Sequence, residues 1–243
     1  MNEPNDKAPP EAPAKPKWHA RSNPWTDLAL TVPVFLGYHL GVIALPVRNA
    51  ADVVTGRLGQ LASNNIVLYV VITLAIGLAL GGVLALLGRG QPFELWRLGV
   101  VMLEGAGYAV AMGATASYVV GSLRLGRGTG MIMALGAGLY EEIAFRVVLF
   151  GLPVLLLRLL PVATMRRLLL TVLWAAVAAA VFSGWHYIGS MGDEFHLQSF
   201  VFRWVCGMAF TAIYAFRGFA PAVWTHALYD VWVLVLIAPD GGN

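Results

Sequence analysis

Three short patterns in this chain put acids and bases at helical spacing. "LYEEIAFR" carries Glu141, Glu142 and Arg146, "VFSGWHYIG" sets Phe182 four residues before His186, and "THALYD" sets His226 four residues before Asp230. One carboxylate, two imidazoles and an acid able to orient one of them are groups that hydrolysis uses. One group takes a proton from water and another steadies the charge that develops on the attacked carbonyl. On an α-helix Glu142 and Arg146 lie about 40° apart with the acid first, the better order for a pair. Glu141 points about 100° away, on the face of Ala134, Ala137 and Gly138. The expectation is a charge-compensated Glu142 and an uncompensated Glu141 beside volume left open by small neighbours. A carboxylate in apolar surroundings takes up a proton more readily than one in water, which suits a general base.

A blander reading has all three charges locking helices together. It accounts for Glu142 and Arg146 but leaves Glu141 without a partner. Each histidine taken alone reads as a polar contact between helices, and His39, with no acid at helical spacing, receives that reading. Glu104 reads as a snorkelling or hydrogen-bonded group near an interface. Trp185, Tyr187, Trp224 and Tyr229 flank the motifs and are candidates for the wall of a substrate cavity.

The elements that must position these groups are apolar helices. The 243 residues are 58% hydrophobic and 12% charged, about half the charge usual in soluble domains. Seven apolar segments approach the ~20 residues of a membrane span: 26–48, 65–87, 98–123, 130–157, 168–189, 198–216 and 220–238. The fold class is therefore all-α: a polytopic integral membrane protein of about seven transmembrane helices in one bundle. Only helices or closed barrels satisfy their backbone groups in lipid, and the short alternating strands of a barrel are missing. Residues 1–24, with six of the 13 prolines and four Lys/Arg, form a disordered, Pro-rich tail. Residues 25–243 form the transmembrane domain, with a motif-bearing core at 130–238. Between the first two spans, Val54, Leu58 and Leu61 recur at helical spacing and predict a short interfacial helix, an eighth if it is counted.

Charge placement orients the chain. Ten Lys/Arg lie in the tail and in the loops after spans two, four and six, against four in the remaining loops. This predicts a cytoplasmic N-terminus in the cell membrane. The pI near 9.2 reflects this distribution and implies no nucleic-acid partner. Cys206, the lone cysteine, excludes an internal disulfide and reads as a small buried hydrophobe. No internal repeat is visible, and the oligomeric state is not legible.

The three patterns together resemble the CPBP family: type II CAAX prenyl endopeptidases and bacteriocin-processing or immunity proteins, which are glutamate-type intramembrane proteases. The forms are Glu-Glu-x-x-x-Arg, Phe-x-x-x-His and His-x-x-x-Asn/Asp, in that order over 130–238. The resemblance implies an endopeptidase acting on a membrane-associated or lipidated protein or peptide, with membrane lipids around it and no cofactor. It implies that Glu141 with His186 activates the attacking water, and that His226 with the residue at 230 stabilises the oxyanion. Arg146 is structural, and the angular argument makes Glu142 its partner. Position 230 is Asp here, and an ionised Asp has no proton to give. Asp230 is therefore expected to fix the tautomer and orientation of His226, the donor.

Three rivals stand beside this reading. Glu141, His186 and His226 are all zinc-ligand types and together would bind a metal that activates water. Ser183 with a histidine would make a serine protease of the rhomboid kind, which leaves the Glu pair unexplained. A proton-coupled transporter or non-catalytic immunity scaffold would use the same groups as a relay.

Depth sets a condition. At 1.5 Å per residue Glu141 lies about 17 Å from the outer end of its span, whereas His186 sits near the outer end of span five and His226 nearer the inner end of span seven. For these to meet, the fifth helix must continue through "SMGDEFHLQ", or the helices must tilt.

Overall fold

In the computed structural model the described residues are 21–45, 47–63, 65–90, 94–116, 127–189 and 192–237. Among them the regular structure is entirely helical. Most of the expected tail lies outside the described residues, as do the ends of the expected third and seventh spans.

Local chemistry starts several of the helices. Asn23 accepts from Thr26 N with Pro24 in the first turn and opens α1 (Pro24–Ala29), which passes with a slight break into α2 (Val32–Ala44). Asp52 Oδ1 accepts from the Val54 and Thr55 amides and caps α3 (Val54–Leu61), the short helix expected from the 54/58/61 spacing. Asn65 caps α4 (Ile66–Leu87), 22 residues that are almost wholly apolar. Then follow α5 (Trp96–Ala116), α6 (Arg127–Gly136), α7 (Leu152–Leu159), α8 (Thr164–Trp185), α9 (Leu197–Arg217) and α10 (Phe219–Val231).

Between α6 and α7 the chain never leaves helical dihedrals, with Gly136 at φ −64° and Leu152 at φ −62°. Residues Ala137–Gly151 are nonetheless π-helical, hydrogen-bonded i→i+5 and so wider than their flanks. Such wide turns concentrate at functional sites. This stretch carries Glu141, Glu142 and Arg146.

Among the described residues five helices are long and apolar enough to cross a membrane: Pro24–Ala44, Ile66–Leu87, Thr164–Trp185, Leu197–Arg217 and Phe219–Leu236. The last is the hub, packed against α5, α6, the π stretch and α9. Small residues admit it, as is usual where lipid leaves close packing as the main adhesive. A Cβ on Gly138 would lie 2.7 Å from Ala227 Cβ and 2.8 Å from the Val223 carbonyl. Gly138 therefore does not open volume beside Glu141, as its place on the helix face suggests; it lets α10 approach. The start of α10 is tied to α1: Asp27 Oδ1 accepts from Ala220 N at 3.0 Å, and Oδ2 accepts from Phe219 N. A buried carboxylate at a helix N-terminus meets both free amides and the positive end of the dipole. The intervening Gly218 has φ +116°, and a side chain there would strike the same carboxylate.

Of the two ways of meeting the depth condition, continuation of the fifth helix is not the one used. Helix α8 ends at Trp185, and residues 192–196 carry no helix. The chain turns back instead: Asp193 N donates to the His186 carbonyl at 2.8 Å, and its carboxylate pairs with Arg203 of α9. His186 is thereby held at the turn, over the interior.

Candidate functional site

The π stretch aims its two carboxylates at different partners. Glu142, fully buried, receives Arg146 NH1 at 3.1 Å and His226 Nδ1 at 2.7 Å, both on Oε1. The Arg146 guanidinium, also buried, lies over the rings of Phe182 (4.2 Å) and Phe210 (5.1 Å). It makes an ion pair but, among the described residues, no well-aligned hydrogen bond. Two aromatic faces replace part of its lost hydration.

Glu141 faces a cavity of about 180 Å³ that it shares with Ala137, His186, His226 and Asp230. That is room for several waters. Its Oε2 stands 4.0 Å from His186 Nε2 and, among the described residues, has no hydrogen-bond partner. Its Oε1 accepts from Asn49 Nδ2 at 2.9 Å. Glu141 is thus not partnerless, as the helical spacing suggests. Asn49 lies in the link between α2 and α3, 92 residues away, and no local pattern marks it.

The imidazoles are fixed from behind. His186 Nδ1 lies 2.9 Å from the Phe182 carbonyl. A carbonyl only accepts, so Nδ1 carries hydrogen and a neutral ring turns the lone pair of Nε2 toward Glu141. His226 stacks on Phe210 with centroids 4.4 Å apart and planes at 18°. Its Nδ1 goes to Glu142, while Nε2 stands 3.7 Å from Asp230 Oδ2. The hydrogen bond to the ring thus comes from Glu142, and Asp230, expected to orient His226, stands farther off on the Nε2 side. Close packing of α10 on the π stretch at Gly138 brings His226 and Glu142 together.

The remaining residues singled out by the sequence find their places. His39 bridges Tyr69 OH (2.9 Å) and Tyr140 OH (2.6 Å), a contact between α2, α4 and the π stretch. Glu104 grips Arg217 at 2.5 and 2.7 Å and accepts from Tyr108. Cys206 is buried and lines the cavity. Of the four flanking aromatics only Tyr229 lines it; the Trp224 indole donates to the Leu30 carbonyl. Ser183 is buried with Oγ donating to the Phe200 carbonyl at 2.7 Å, and it does not line the cavity. Among the described residues no three His, Cys, Asp or Glu side chains converge in metal-binding geometry.

A larger cavity of about 860 Å³ lies against Leu139, Tyr140, Ile143 and Val147, bounded by α1, α2 and α4. It holds no histidine. Glu141, His186, His226 and Asp230 converge on the smaller one.

Residues 125–232 match the family model described as type II CAAX prenyl endopeptidase Rce1-like, a match that takes in all three motifs. No curated protein and no solved structure matches the chain.

Proposed function

We propose, from the likeness of residues 125–232 to that protease family, that this chain is an intramembrane endopeptidase in which Glu141 activates the attacking water. One observation carries the reading. Glu141 Oε2, buried and without a hydrogen-bond partner among the described residues, stands 4.0 Å from His186 Nε2. Both atoms are acceptors, so neither bonds the other directly. A water about 2.8 Å from each would subtend roughly 90° at its oxygen, close to its own H–O–H angle, and donate once to each.

In the reaction the water oxygen bonds the scissile carbonyl carbon as its proton passes to Glu141. The carbonyl oxygen becomes an oxyanion, and the C–N bond then breaks as Glu141 returns the proton to the leaving amine. His226 and Asp230 supply the donor for the oxyanion. With Nδ1–H committed to Glu142, Nε2 and Asp230 Oδ2 are two acceptor atoms 3.7 Å apart. One proton shared between them gives imidazolium with carboxylate, or imidazole with carboxylic acid. Either form points one N–H or O–H into the cavity.

The substrate class is a membrane-associated or lipidated protein or peptide, and lipids surround the chain. Seven membrane crossings follow if α5 and the rod from Arg127 to Leu159 join the five apolar helices. The Lys/Arg distribution supports a cytoplasmic N-terminus.

The test compares the termini of membrane proteins by mass spectrometry in cells carrying wild type or Glu141→Gln. The expected result is at least one terminus that disappears in the variant. Identical termini, with any phenotype of the wild type preserved, would favour a relay or scaffold instead.

A further inference from the structure

The family match begins at residue 125, yet Glu141 is held by a residue far upstream of it. We propose that Asn49 is a positioning residue that decides which oxygen of Glu141 meets the water and His186. The proposal rests on the reading of Glu141 as the base.

A glutamate carboxylate turns about a soft, two-fold torsion, so its two oxygens are interchangeable unless something distinguishes them. Asn49 Nδ2 holds Oε1 at 2.9 Å, and Oε2 is left to face His186. The amide cannot be reversed, because its Oδ1 already accepts from Ala51 N at 2.8 Å; this leaves the N–H₂ end for Glu141.

Asn49 is itself held. Its backbone N donates to Tyr38 OH at 3.0 Å, and that hydroxyl donates to Asp52 Oδ2 at 2.8 Å. The other Asp52 oxygen caps α3. All three side chains are buried, so irregular backbone runs inside the bundle with its polar groups paired, as a membrane interior requires. The approach depends on Gly136, where a Cβ would stand 2.5 Å from Tyr38 Cε2 and 2.9 Å from Asn49 Cβ. Glycine one turn before Glu141 is what lets this segment reach the carboxylate.

The experiment uses the full chain in detergent with the peptide that the comparison of termini identifies. Asn49→Leu removes the donor and the acceptor together; the isosteric Asn49→Asp keeps the acceptor for Ala51 N but sets a second carboxyl against Glu141 Oε1, so that the two share a proton or repel. Both are expected to lower kcat by about ten- to a hundredfold, the scale of one hydrogen bond to a charged group, with KM unchanged and a cooperative thermal transition retained. In Glu141→Asp the shortened carboxylate lies out of reach, so Asn49→Leu is expected to cost nothing further there. Wild-type kcat in both variants, while Glu141→Gln is inactive, would overturn the positioning role alone, as would equal losses in the two backgrounds. An active Glu141→Gln would instead remove the base reading beneath it.

Discussion

His226 commits its Nδ1 to Glu142 at 2.7 Å and leaves its Nε2 facing Asp230 at 3.7 Å. The second glutamate of the pair therefore belongs to two partners at once, Arg146 on its own helix and His226 on α10. That arrangement gives the two adjacent carboxylates different roles. Glu142 supports the site, and Glu141 faces the cavity.

Stability divides the pair. Glu142→Gln leaves the Arg146 guanidinium buried without its counter-charge, a change that costs about 3–5 kcal/mol, and it also loosens His226. Its thermal midpoint in detergent is expected to fall well below that of Glu141→Gln, which removes no ion pair closer than 4.0 Å. Equal midpoints would mean that Arg146 is neutralised by some other group.

Position 230 separates orientation from donation. Because Glu142 holds the ring, Asp230→Asn keeps His226 in place and brings a permanent N–H of its own, so it is expected to retain most of the cleavage. Asp230→Leu removes the donor and is expected to lose about a hundred- to a thousandfold in kcat, the usual cost of one oxyanion contact. An inactive Asn variant beside an unaltered thermal midpoint would restore the orienting role to Asp230.

Ser183 offers a contrast with the serine mechanism. Its hydroxyl is turned to the Phe200 carbonyl at 2.7 Å, away from the cavity. Ser183→Ala is expected to cost about 1 kcal/mol of stability and to leave cleavage intact. Loss of cleavage in a folded Ser183→Ala would revive that rival.

Chelation addresses the zinc alternative through Glu141, His186 and His226. Prolonged dialysis of the purified protein against a chelator is expected to leave the cleavage rate unchanged. A rate that falls and returns on adding zinc would assign water activation to the metal.

Much of the local order is visible in the residues taken one stretch at a time. The caps at Asn23, Asp52 and Asn65, the apolar runs of α4 and α8, and the pairing of Glu142 with Arg146 all depend on neighbours within a few positions. So does the short helix at 54–61. Spacing alone also brings out His186, His226 and Asp230, because each stands in an apolar run where a polar group is costly.

Partner choice follows a different logic. Asn49 meets Glu141 across 92 positions and His226 meets Glu142 across 84, and no periodicity encodes either pairing. They arise because Gly136 and Gly138 let two other segments press against the π stretch, and because its i→i+5 register turns the carboxylates away from α-helical azimuths. From its sequence this protein has apolar helices bearing acids and imidazoles in their interior. Only the packing of those helices decides which oxygen of which glutamate faces which ring, since hydrogen bonds reach about 3 Å and helix contacts set positions at that scale.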